Sequence, residues 1–170
     1  MRYAEIKPGK AVKIDGREIT PLPANHTVPA VGYRIDSGEG SLVFSGDTTV
    51  CDELWKAVNK IRNLRYLIIE TAFSNRERQL AVASKHLCPD MLKEELLKLQ
   101  HEADIYITHL KPGQIELTMH LRGEMQPGWV HLSAVLFYLA PPPEPGQAVE
   151  GEPTGKPQII DQKRISFERS

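Results

Sequence analysis

Cysteine is nearly absent: 170 residues hold only Cys51 and Cys88, in neither CxxC nor CxxH spacing. That excludes a disulfide framework and a cysteine zinc site, and leaves the two thiols to be read as small buried hydrophobes. Charge of one sign is missing too. Lys+Arg 21 against Asp+Glu 22 gives a net charge of −1, so no overall field draws the chain to nucleic acid or to a membrane surface. No run approaches 18 apolar residues, and residues 1–7 carry no apolar leader segment. The expectation is a cytoplasmic protein with no membrane-spanning helix.

What is present reads as an α/β domain. Short strands are expected over residues 3–6, 11–14 and 18–21, with Lys7-Pro8-Gly9 and Asp15-Gly16 as turns; Asp-Gly between alternating runs is a strong hairpin signal. Strands at 31–35 and 41–45 follow, then a helix over 52–62 with Leu54, Trp55, Val58 and Ile61 on one face. A buried strand at 66–71, a helix over 76–86, a helix from Pro89 to about residue 101 and a strand at 104–109 complete the pattern. In the later helix Leu92, Leu96, Leu97 and Leu99 are expected to point inward. Strand–helix–strand alternation predicts a layered sheet. The domain is expected to span residues 1–140. Residues 141–170, with six of the 13 prolines, read as a proline-rich disordered or extended tail.

Chemistry-bearing residues recur where strands end: Asp47 after Leu42-Val43-Phe44-Ser45-Gly46, Glu70 after 66–69, and His109 after 104–108, with His26 ahead of the 31–35 strand. Ligands in α/β sheets sit outside the carboxyl ends of strands, and imidazole with carboxylate is a donor set for zinc-like ions. Asp47 reads equally as an N-cap for the following helix. His86 reads equally as a histidine facing a helix C-terminus, and Glu70 as a simple strand end. His101, His120 and His131 read as surface or structural.

The words around these residues are more specific. His26-Thr27-Val28-Pro29-Ala30-Val31-Gly32-Tyr33, Phe44-Ser45-Gly46-Asp47-Thr48, Glu70-Thr71-Ala72-Phe73, Lys85-His86-Leu87 and Ile107-Thr108-His109-Leu110-Lys111-Pro112 occur in that order. Together they resemble the second half of a metallo-β-lactamase-fold hydrolase. The HTVPAVGY and THLKP wording most resembles the class II 3′,5′-cyclic-nucleotide phosphodiesterases, and the tRNA 3′-processing endonucleases share the SGDT word. The resemblance implies the second half of an αββα sandwich, a mixed sheet with helices on one face. It implies His26, Asp47 and His109 as metal ligands, Asp47 bridging two divalent ions, zinc or in some cases manganese. It implies His86 near the scissile phosphate, giving a proton or binding an oxygen, and Glu70 behind a ligand histidine as its hydrogen-bond acceptor.

The resemblance covers about residues 1–119 and then departs, with Pro127-Gly128-Trp129 and the apolar run 129–139, which is available to cover an exposed sheet face. The family's HxHxDH motif is absent, since the chain contains neither HxH nor DH. The expectation is therefore part of a two-metal site acting on a small cyclic nucleotide, completed by an N-terminal half or by a homo-oligomer. A non-catalytic remnant or interaction module of the same fold, and a tRNA-processing nuclease, are the competing readings; the near-neutral charge counts against the last.

Overall fold

The computed structural model of the chain describes residues 6–111 and the backbone of residues 130–134. Seven strands form one mixed sheet in simple sequential order. The first three pairings are antiparallel: β1 (Val12–Ile14) with β2 (Arg17–Pro23), β2 with β3 (Val31–Asp36), and β3 with β4 (Ser41–Phe44). The last three are parallel, linking β4 to β5 (Leu64–Glu70), β5 to β6 (Ala103–Thr108) and β6 to β7 (Val130–Ala134).

Local chemistry explains the change of direction. Asp15 and Gly16 both take positive φ, 48° and 76°, which closes a two-residue hairpin with Ile14 opposite Arg17. Parallel neighbours instead need crossovers, and the chain places its helices there. Helix α1 (Asp52–Val58) joins β4 to β5, while α2 (Arg78–Ser84) and α3 (Pro89–Leu96) join β5 to β6.

Strand alternation decides which face the helices cover. Val43, Leu67 and Ile105 are neighbours across three strands, and Ile69 and Ile107 across two. All are buried in one cluster with Leu54, Trp55 and Val58 of α1 and Met91, Leu92 and Leu96 of α3. The opposite face carries Leu42, Phe44, Ile68 and Tyr106, only partly covered, and Tyr66, exposed at 40%. One side of the sheet thus has a helical layer, and the other is half open among the described residues. This is the mixed sheet expected from the sequence.

Several expectations are corrected. Helix α1 stops at Val58 rather than at residue 62, because Lys60 and Ile61 donate to the carbonyls of Ala57 and Val58 in a tighter turn. Helix α3 likewise ends at Leu96, and Leu97 is 70% exposed rather than inward. The buried side of that segment is Met91, Leu92, Glu95, Leu96 and Leu99, and Leu97 falls off the stripe. The helix expected over 76–86 divides into a 3₁₀ turn (Asn75–Glu77) and α2, so His86 stands beyond the helix end. Residues 130–134 extend the sheet edge beside β6 instead of covering its open face. Ile6 lies in no strand, and the rest of the expected 3–6 strand, like the tail over 141–170, falls outside the described residues. Cys51 and Cys88 are free and buried, as read from the sequence. No helix among the described residues is long and apolar enough to cross a membrane.

Candidate metal centre

Three histidines and two carboxylates gather past the carboxyl ends of β4, β5 and β6. Glu70 is the last residue of β5, while Asp47 follows β4 and His109 follows β6. The turn that presents Asp47 needs glycine. Gly46 has φ 63°, and a Cβ there would lie 2.8 Å from the Val31 carbonyl oxygen. Gly32, beneath the same turn, would place a Cβ 2.7 Å from the carbonyl oxygens of Phe44 and Ser45. The β3 and β4 backbones therefore approach at a distance only two glycines allow. Asp47 does not cap α1: the N-cap position is Cys51, whose own side chain makes no capping bond.

His86 is delivered by the end of α2. Lys85 takes the left-handed conformation, φ 55°, and donates to the Val82 carbonyl while His86 N–H donates to that of Ala81. This Schellman closure turns the chain away from the helix axis. The imidazole then reaches Glu70, with Nδ1 2.8 Å from Oε1.

Glu70 is 1% exposed and fully engaged. Its Oε1 shares a hydrogen bond with His86 Nδ1 and accepts the Thr48 N–H at 3.1 Å; its Oε2 accepts the N–H groups of Ala72 at 3.0 Å and Leu87 at 3.4 Å. One carboxylate thereby ties together the loops after β4, β5 and α2. The histidine it orients is His86, not one of the three residues expected to be ligands. Burial pushes the Glu70 carboxyl up to about 7 against the pull of those backbone N–H groups, and burial holds the His86 imidazole down, assisted by the charges of His26 and Lys111 and opposed by Asp47.

The same arrangement holds at all three imidazoles. His26 Nδ1 lies 3.2 Å from the Lys85 carbonyl, which only accepts, and His109 Nδ1 lies 2.8 Å from Asp47 Oδ1. Each ring is tied at Nδ1, leaving Nε2 open for a ligand bond or a proton. His86 lies between the other two, its centroid 4.8 Å from that of His26 and 5.1 Å from that of His109, edge to face in both cases. Side-chain donors cluster within 4.8 Å of one another in two groups, His26–Asp47–His86 and Glu70–His86–His109. The structure thus brings the residues expected from the sequence to one edge, but His86 stands in both groups, and neither group holds His26, Asp47 and His109 together. Imidazole nitrogen with a half-exposed carboxylate is the donor chemistry of zinc-like divalent ions, so the residues fit such an ion.

Sequence reading missed three supports: the Lys85 carbonyl behind His26, the Phe73 ring 5.7 Å from that of His86, and Lys111, whose Nζ stands 3.6 Å from the Phe73 centroid. All lie inside the quoted sequence words, but their roles depend on contacts across 59, 13 and 38 positions, which spacing does not reveal.

The Glu70–His86 pair has a measurable consequence in the metal-free protein. Glu70, raised from 4.5 to about 7, favours folding at low pH and loses that stabilisation as pH rises through 7. His86, lowered from 6.5, contributes in the opposite sense, its stabilisation being lost as pH falls. The two contributions therefore oppose each other. His86→Ala removes the opposing one. Its unfolding free energy, from urea titrations with chelator present, is expected to fall more steeply between pH 4.5 and 7 than that of the parent. Parallel profiles would show that the two groups do not exchange a proton.

The family model of the beta-lactamase superfamily domain matches residues 1–121. No curated protein sequence matches the chain significantly. Among solved structures, the metallo-beta-lactamase fold protein YhfI from Bacillus subtilis superimposes with a TM-score of 0.62 at 19% identity, over 76% of this chain and 52% of its own. Igni18, a metallo hydrolase from the archaeon Ignicoccus hospitalis, gives 0.55 at 14% identity, over 77% of this chain and 56% of its own. A diphosphatase of the PhnP family gives 0.52 at 19% identity, over 74% and 44%. At these identities the likeness is one of fold, and this chain spans about half the length of each.

Proposed function

This chain belongs to the beta-lactamase superfamily, and on that premise we propose that it carries part of the active site of a metal-dependent phosphodiester hydrolase whose substrates are 3′,5′-cyclic nucleotides. The observation that supports it most is the Glu70–His86 hydrogen bond, buried at Glu70 and opening onto His26, Asp47 and His109. The cyclic-nucleotide class rests on the HTVPAVGY and THLKP wording. A cytoplasmic location fits the two free thiols.

In this reading His26, Asp47 and His109 hold a divalent ion, zinc or manganese. Bound there, the ion supplies Lewis acidity toward a phosphoryl oxygen and makes a water nucleophilic near neutral pH. Lys85 orients His26 through its carbonyl. His86 manages the proton. With the pair's proton on Glu70, its passage to His86 Nδ1 lets Nε2–H pass to the departing oxygen. The pair then remains as neutral imidazole and carboxylate, with Glu70 still held by three backbone N–H groups. For His26, Asp47 and His109 to hold one ion, their side chains must converge further than in the donor groups formed here, both of which include His86; a second ion requires ligands from other residues or from a partner chain.

The test is hydrolysis of cyclic AMP, cyclic GMP and bis(p-nitrophenyl) phosphate with zinc or manganese, alongside metal content by elemental analysis. His86→Ala is expected to lower turnover about 10²- to 10⁴-fold while metal content holds. Metal lost in step with activity would make His86 a ligand, as its place in both donor groups allows. Stoichiometric metal with no hydrolysis of any of these esters would leave the chain as a non-catalytic binding module.

A further inference from the structure

We infer that Lys111 is a phosphate-binding residue, its ammonium held over the Phe73 ring beside His86 to receive a non-bridging oxygen of the substrate. This rests on the phosphoester reading above and names a residue for it.

Lysine side chains usually dissipate their reach in rotamer freedom. Here the exposed Lys111 is localised, because Nζ sits 3.6 Å from the centroid of Phe73, itself 3% exposed. A cation–π contact fixes the ammonium without neutralising it. No carboxylate pairs with Lys111 among the described residues, and the acids of the cluster are engaged elsewhere: Asp47 with His109, Glu70 with His86 and three backbone N–H groups. The other ammonium at the cluster, that of Lys85, lies 3.4 Å from the His26 carbonyl oxygen and donates to it. Lys111 is thus the cation whose charge remains unspent.

Its position suits an anion. The Phe73 ring meets His86 edge to face, with centroids 5.7 Å apart, so one ring supports both the ammonium and the imidazole that would handle the proton. Lysine binds phosphate as a point charge with three donors and imposes little geometry. In a chain with net charge −1, a local cation is what makes this edge attractive to a phosphate.

Calorimetric titration of the metal-loaded protein with inorganic phosphate tests the assignment, together with KM and kcat for bis(p-nitrophenyl) phosphate. Lys111→Met keeps an unbranched side chain over Phe73 and removes the charge; Lys111→Arg keeps the charge. Lys111→Met is expected to weaken phosphate binding about tenfold and raise KM similarly, with metal content, Tm and kcat little changed; Lys111→Arg should stay within about threefold of the parent. Phosphate affinity unchanged in Lys111→Met would overturn the assignment and leave the hydrolase reading standing. Equal losses in both variants with a lowered Tm would make Lys111 a packing residue instead. Absence of phosphate binding and of hydrolysis in the fully metallated parent would overturn the hydrolase reading, and this inference with it.

Discussion

Asp47→Ala is expected to strip the protein of its metal while leaving it folded. The Asp47 carboxylate is 45% exposed and touches the His109 ring through one 2.8 Å contact. Its removal therefore costs little stability, within about 0.5 kcal/mol in the metal-free protein. Its loss at the site is larger. In the proposed reading Asp47 supplies the half-exposed carboxylate ligand among the imidazoles. Removing an outer-sphere partner of a metal ligand costs about 10- to 100-fold in affinity; removing a ligand itself should cost more. Metal content after dialysis should fall to background, with hydrolysis following, and the far-UV circular dichroism should match the parent. His109→Ala should behave alike. Retention of full metal by both variants would sink the ligand assignment, and with it the placing of the ion between the ends of β4 and β6.

Glu95→Ala is expected to be strongly destabilising, by about 3–5 kcal/mol. Glu95 sits on the inner face of α3 at 3% exposure. Its Oε2 accepts the Trp55 indole N–H at 2.7 Å and the Cys51 N–H at 3.3 Å, and its Oε1 accepts from Lys98 Nζ at 2.6 Å. Alanine would leave two buried donors without an acceptor and a void between α1 and α3. Because Cys51 ends the segment that begins at Asp47, the same change should loosen the metal loop. Glu95→Gln, which keeps an acceptor for Trp55, should lose about 1–2 kcal/mol. Urea denaturation of both variants measures this. A loss below 1 kcal/mol in Glu95→Ala would mean that water takes over the two donors.

Glu95 also marks where the amino-acid order stops being informative. In sequence it is one polar position among leucines, and nothing separates it from the neighbouring Glu94 on the solvent side. Leu97 is the mirror case, a leucine that spacing sends inward and the early helix end sends out. Both depend on where α3 stops, which the packing of α1 against it decides.

Local chemistry was enough to define the sheet and its helical crossovers. Hairpin signals such as Asp15-Gly16, apolar strand runs and helical stripes act over a few residues, so the positions of most strands and the polar residue at each strand end are legible without a structure, whereas the order of strands in the sheet is not. The site residues were legible as separate words, because each follows its own strand or helix end. Their connections were not. That Glu70 grips His86, that Lys85 holds His26 through a carbonyl, and that Lys111 stands on Phe73 are contacts between segments far apart in the chain. They exist only once parallel strands bring their carboxyl ends to one edge, where burial of a single carboxylate forces every nearby N–H group to turn toward it.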